Sequence, residues 1–238
     1  MTSVHPPEIR VAQTQDPGPA PYSRAIRIAT GISLVLAGLL NGLPQYLVEV
    51  LVVDMEFTEQ VAWGTTHPVA HRLEQISLVV SVLFIPLGLL GLAQVTRWHA
   101  PRLTLVGTPL MLWGMWGFHN ILSMGYVSGT VAPTLIPLQQ ALALHGGLPA
   151  EPGVVAMALV PHLAGSFFGV LLLTIAAWRS RMFAAVPCAL IAVFLVWDFL
   201  LPTFGLLEPH LLLAIGWTWM GITLIRMSDE AWRGVRTS

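Results

Sequence analysis

Residues 76–95 read ISLVVSVLFIPLGLLGLAQV and contain no charged side chain. A helix of about 20 apolar residues has the length that crosses the hydrocarbon core of a bilayer. In front of this run stands His67-Pro68-Val69-Ala70-His71-Arg72-Leu73-Glu74-Gln75. Pro68 suits the first turn of a helix, where its missing N–H removes no bond, and that puts His67 at the cap. Further in, His71 and Glu74 are three apart and His71 and Gln75 four apart, so they share a face. The reading is a membrane-spanning helix with a polar mouth, around which other spans gather their own polar residues.

Five more stretches fit the same pattern, at 28–53, 103–124, 154–178, 182–201 and 210–226. The whole chain of 238 residues is 55% hydrophobic and 10% charged. A soluble domain carries about a quarter charged residues, so these figures describe an integral membrane protein. The formal net charge of −1 gives no reason to expect a nucleic-acid partner. The single cysteine, Cys188, lies inside an apolar run, which excludes an intrachain disulfide and a cysteine metal cluster. Residues 1–24, rich in Pro, Gln, Ser and Thr, read as a disordered tail. They lack the apolar core of a signal peptide, so the first span is expected to be an uncleaved anchor. The expected organisation is a tail (1–24), a transmembrane domain (25–227) and a short second tail (228–238).

All 11 basic residues are arginines, and their placement predicts orientation. Arg10, Arg24 and Arg27 precede the first span. Arg97 and Arg102 bracket the second turn, Arg179 and Arg181 the fourth. Arg226, Arg233 and Arg236 follow the last span. In a six-span protein these fall on one side, which the positive-inside rule makes cytoplasmic. The expectation is an all-α, six-span bundle in the inner membrane with both termini in the cytoplasm. The opposite side holds Asp54, Glu56, Glu59, Glu151 and Glu208, with Arg72 as its one basic residue. There the long connection 125–153 carries an apolar piece, 135–144, introduced by Pro133 and Pro137. It reads as a surface helix or as a re-entrant one over the mouth. A faint repeat pairs His71, Pro109, Trp116 and His119 with His162, Pro187, Trp197 and Asp198.

Ionisable groups within a spanning helix are costly and face the bundle interior. Asn41, Gln45 and Glu49 form a ladder four residues apart on the first span, and Gly38 with Gly42 opens it to a close neighbour. Trp113, Trp116, Asn120 and His119 lie in the outer half of the third span. His162 lies on the fourth, followed by Gly165, Ser166 and Gly169. Trp197 and Asp198 close the fifth, and Glu208-Pro209-His210 opens the sixth with proline in its first turn. All of these map to the outer half.

Three readings follow. The first is a divalent-metal site, with His67, His71, His119 and His162 as ligands; His67 and His71 have the i, i+4 spacing of a pair on one helix. A haem held between His119 and His162 is a variant of it. The second is acid–base chemistry on a lipophilic small molecule, with Glu49, His71, Glu74 and Asp198 as the proton-transfer set. Arg72, Trp113, Trp116, Asn120 and Trp197 would then bind the substrate, Arg72 as the clamp for an anionic head group. The third is a non-catalytic structural or accessory membrane subunit. A polar path through the bilayer is missing from the inner half, which argues against transport.

Arg179-Ser180-Arg181 with Val186-Pro187, and Trp197-Asp198, resemble a broad group of small polytopic bacterial membrane proteins without assigned function. In size and in acidic residues near a membrane face the chain is also similar to membrane-bound terpene cyclases. Those have more spans and share no motif with it, so the resemblance brings no catalytic residue. It implies a cyclase- or isomerase-like reaction as one form of the acid–base reading.

Overall fold

The computed structural model describes residues 23–52, 55, 57–201 and 208–234, and these form helices with no strand. The expected 1–24 tail is almost wholly outside the described residues, as are Arg10, Asp54, Glu56 and Arg236, together with the side chain of Glu49. In chain order the helices are α1 (23–52), α2 (Phe57–Thr66), α3 (Pro68–Thr96), α4 (Pro101–Tyr126), α5 (Leu138–Gly147), α6 (Pro152–Ser180), α7 (Ala185–Leu200), α8 (His210–Arg226) and α9 (Asp229–Trp232).

Three helical stretches are long and apolar enough to cross a membrane: Ser23–Val48, Pro68–Thr96 and Pro152–Ser180. α7 and α8 are apolar but shorter. α4 has the length, 26 residues, but its tryptophans, glycines, His119 and Asn120 dilute its apolar character. The all-helical expectation therefore holds. α3 begins at Pro68, in its first turn, with His67 as the cap, as expected. α8 covers the expected 210–226, but Pro209 is its cap and not part of its first turn.

Small residues fix the packing. α1 lies between α3 and α8, α4 lies along α6, and α7 closes against α6 and α8. A Cβ on Gly42 would stand 2.6 Å from the carbonyl oxygen of His210, and one on Gly88 would stand 2.7 Å from Cα of Leu34. The expected close approach at Gly38 and Gly42 is thus made by α8. Gly114 and Gly117 press α4 so tightly on α6 that a Cβ on either would strike the main chain at Ser166 or His162. Leu34, Leu89, Met111, Leu173, Ile191 and Met220 fill the centre.

Arginines gather at one end. There Arg27 is buried, with only 6% of its surface exposed. Its Nη1 donates to the carbonyls of Leu224 (3.3 Å) and Ile225 (2.7 Å), and its Nη2 pairs with Asp229 (3.1 Å). A guanidinium matches these acceptors as a planar fork and satisfies carbonyls that the end of α8 leaves open. Sequence reasoning had placed Arg27 among the flanking charges; the structure makes it a clasp between α1 and α8. Buried hydroxyls at this end bond within the protein: Thr96 meets Thr104 at 2.9 Å, and Ser180 donates to Ala177 O at 2.7 Å.

Candidate functional site

Polar side chains collect at the other end, and the structure divides them between two cavities. The deep cavity, about 250 Å³, is walled by α1, α3, α4, α6, α7 and α8. Asn41, Gln45, His162, Ser166, Asp198 and His210 supply its polar atoms. Phe118, Phe194, Phe199, Leu213 and Trp217 supply most of the rest. Two π-helical segments border it. Gly38–Gly42 presents Asn41, and Pro161–Ser166 presents His162 and Ser166. An extra residue in a turn swings the following side chains around the helix, and such π-bulges recur at functional sites.

At one wall of this cavity the imidazole of His210 lies between two carboxylates. Its Nδ1 bonds to Glu208 Oε1, and its Nε2 lies 3.8 Å from Asp198 Oδ1. Glu208 also accepts from the backbone N–H of His210 at 2.8 Å. The proline between them leaves no N–H to compete for that carboxylate. Phe194 meets the His210 ring edge-on at 5.3 Å. Across the cavity His162 is stacked on Phe118 at 4.9 Å, tilted against Phe199 at 5.4 Å, and bonded through Nδ1 to Ser166 Oγ at 3.2 Å. An imidazole flanked by carboxylates can take a proton at one nitrogen and release one at the other. The arrangement therefore places groups of that kind beside an aromatic, largely apolar chamber.

The rim cavity, about 570 Å³, lies nearer the chain ends of these helices. His71, Arg72, Glu74 and Gln75 line it from α3, Gln60 and Trp63 from α2, and Thr130, Thr134 and His145 from the connection after α4. His71 Nδ1 lies 3.5 Å from Glu74 and its Nε2 lies 3.1 Å from Thr130 Oγ1. His145 Nδ1 meets Ser128 Oγ at 2.8 Å, and burial pulls its pKa below the ordinary 6.5. Arg72 is exposed at the edge and has no ion pair among the described residues. The connection 125–153 is helical over most of its length, and its Pro133 and Thr134 form part of the cavity wall.

The sequence had gathered these groups into one site, and the structure separates them. His71, Glu74 and Arg72 share the rim cavity, whereas His162 and Asp198 belong to the deep one. His67 is exposed and stacks on Trp63 at 5.0 Å. His119 is exposed on the outer face of α4, so it cannot face His162 across an iron. Among the described residues no three His, Cys, Asp or Glu side chains converge on a point that could hold a metal. The proposed ligand set His67, His71, His119 and His162 is thus not assembled, and Glu208 and Asp198 lie on opposite edges of His210. Trp113 and Trp116, 44% and 60% exposed, point out of the bundle and line neither cavity. Asn120 donates to Met157 O at 3.0 Å, a bond between helices. The indole N–H of Trp197 is buried without a hydrogen-bond partner, and that ring also lines neither cavity.

Glu208 and His210 are the bonded pair beside the deep cavity that sequence reasoning left outside its candidate site. Their signal was present: a carboxylate two residues ahead of a histidine at a helix start, with proline between. What placed them was the contact of Gly42 with His210. The chain matches no protein-family model, no curated protein and no solved structure, so its chemistry has to be read from these groups alone.

Proposed function

We propose that the protein is a six-span enzyme of the inner membrane, both termini cytoplasmic, that moves a proton on a lipophilic small molecule held in the deep cavity. The grouping of arginines at one end supports the orientation. Large apolar side chains turned outward along the long helices, such as Leu83 (66% exposed) and Leu105 (76%), support a lipid-facing surface. One observation carries the chemistry: at the wall of an aromatic chamber the imidazole of His210 bonds to Glu208 through one nitrogen and faces Asp198 at 3.8 Å with the other. Ionisable groups at membrane depth are expensive, and their usual reason is function. Asp198 gives its proton to one carbon, Nε2 of His210 takes a proton from another, and return of that proton from His210 to Asp198 resets this relay, so the isomerisation balances. Aromatic faces around the chamber stabilise positive charge that develops on the way.

The test uses purified protein in heavy water. Wild type is expected to retain a lipid-soluble molecule, identified by extraction and mass spectrometry, and to exchange deuterium into it. Asp198→Asn and His210→Gln should retain the molecule but exchange it about 10²–10⁴-fold more slowly, the usual range for a lost acid–base group. Exchange at the wild-type rate in both variants would remove the relay from the mechanism.

A further inference from the structure

The two cavities use the same helix faces. On α1, Asn41 and Gln45 line the deep cavity and Val48, three residues on, lines the rim. On α4, Met115 and Phe118 line the deep cavity, and Ile121 and Leu122 line the rim. On α3, Ile85 belongs to the deep cavity and Leu78, two turns back, to the rim. Residues three, four and seven apart lie one above another on a helix. The cavities are therefore stacked along one direction, with Leu78, Phe118 and Ile121 at the level between them. Their linings differ in kind. The deep one is mostly aromatic and aliphatic; the rim offers donors and acceptors from Gln60, Gln75, Thr130 and Thr134, one guanidinium, Arg72, and one carboxylate, Glu74, which is turned to His71. Among the described residues Arg72 is the one arginine that lines either cavity. From residue 71 to residue 85 the stack runs about 21 Å, at 1.5 Å per residue.

From this we propose that the rim and deep cavities are two halves of one binding site for a single-chain amphiphile with an anionic head. The carboxylate or phosphate head lies at Arg72, and the apolar chain runs inward past Leu78 and Phe118 to end between His162 and Asp198. This rests on the reading of the deep cavity as the lipophilic chamber and adds the substrate class and its direction. Proton transfer then acts on the chain terminus, far from the head. A guanidinium binds either oxyanion as a fork, which fits a head of either kind.

The experiment uses the full chain in phosphatidylcholine nanodiscs. The probes are hexadecanoate, hexadecyl phosphate and hexadecanol, each with a diazirine at the chain terminus. After irradiation, both anionic probes should label deep-cavity residues such as Phe199, Leu213 and Trp217, at about tenfold lower concentration than hexadecanol. Arg72→Gln should erase that tenfold preference while leaving the melting temperature unchanged. Leu78→Trp should move the label from the deep cavity to rim residues; Ile121→Trp, at the same level, serves if Leu78→Trp does not fold. Inorganic phosphate at the probe concentration should not compete. If all three probes label the deep cavity equally and Arg72→Gln changes nothing, the head assignment falls and the lipophilic chamber stands. If phosphate displaces the anionic probes, the rim is an anion site in its own right and the two-cavity ligand falls. Labelling confined to lipid-facing positions such as Leu83 and Leu105 overturns both this inference and the chamber on which it rests.

Discussion

The arginine end and the histidine end of this bundle are built from the same helices but packed by different rules. At the arginine end, glycines meet backbone: Gly31 and Gly221 approach each other, and Gly88 lies against Leu34. Hydroxyls there bond inside the bundle, and Arg27 ties α1 to α8 through two bonds and to α9 through a third. At the histidine end, Gly42 and Gly117 still meet main chain beside the deep cavity, but farther out glycines meet space: a Cβ on Gly125, Gly146 or Gly147 would find nothing within 4 Å. Two cavities open there, and π-helical turns replace regular ones at 38–42, 127–131, 155–159 and 161–166. The difference is one of division of labour. One end holds the helices together, which leaves the other free to keep room between them and to hold groups that a tight core would exclude.

The contrast is most easily broken by a pair of glycine substitutions. Gly88→Val should cost about 3 kcal/mol, because its side chain meets main chain that cannot move aside. In a chain of this size that lowers the melting temperature by roughly 6–12 °C. Gly125→Ala, in the last turn of α4, should instead be neutral or stabilising by up to about 1 kcal/mol through helix propensity. Equal losses at the two positions would mean that the ends are packed alike.

Arg27→Leu comes next. It removes the bonds to Leu224, Ile225 and Asp229 and leaves the Ile225 carbonyl open, at a cost of about 2 kcal/mol. Arg27→Lys should recover only part of this, since an ammonium lacks the fork. Thermal unfolding followed by circular dichroism in detergent reads both, and a melting temperature unchanged in Arg27→Leu would deny the clasp.

A smaller effect of opposite sign is expected at Arg181. It ends α6 in the left-handed region, at φ 59° and ψ 13°, where a side chain is strained. Arg181→Gly should stabilise by about 1 kcal/mol. A loss of stability there would show that the side chain, not the backbone, matters at this turn.

The smallest effect sharpens the picture of the histidine end. Burial lowers the pKa of His145, so the folded state holds fewer protons than the unfolded one below pH 6.5. Its contribution to stability is complete above pH 6.5 and is lost as pH falls toward the lowered value. His145 is partly exposed, so the decline is shallow. The melting temperature of His145→Gln between pH 7.5 and 5.5 should fall less than that of wild type. An identical slope in both proteins would remove His145 from the account.

Much of the fold was legible in residues 76–95 and their five counterparts. Length, lack of charge and the prolines at helix starts are local properties, and Pro68 with His67 at the cap was read correctly to the residue. The gathering of polar residues at one end was also legible, because depth along a helix follows from counting. The faces were not. His119 follows Phe118 in sequence, yet Phe118 lines the deep cavity and His119 turns outward. Rotation about the helix axis is set by the neighbour that packs against it, here α6 pressed on Gly114 and Gly117. It is changed again wherever a π turn inserts a residue, as before Ser166.

By itself, then, the sequence determined an all-helical chain with stretches long and apolar enough for a membrane, arginines at the helix ends, and a belt of histidines and carboxylates away from them. Each of these depends on residues near in sequence. Only the tertiary structure decided that the belt splits into two cavities, that His71 and His162 part, and that His210 lies between Glu208 and Asp198. Those outcomes depend on which helices touch and at what rotation. That is settled by a few close contacts between distant residues, such as Gly42 against His210, which no local pattern announces.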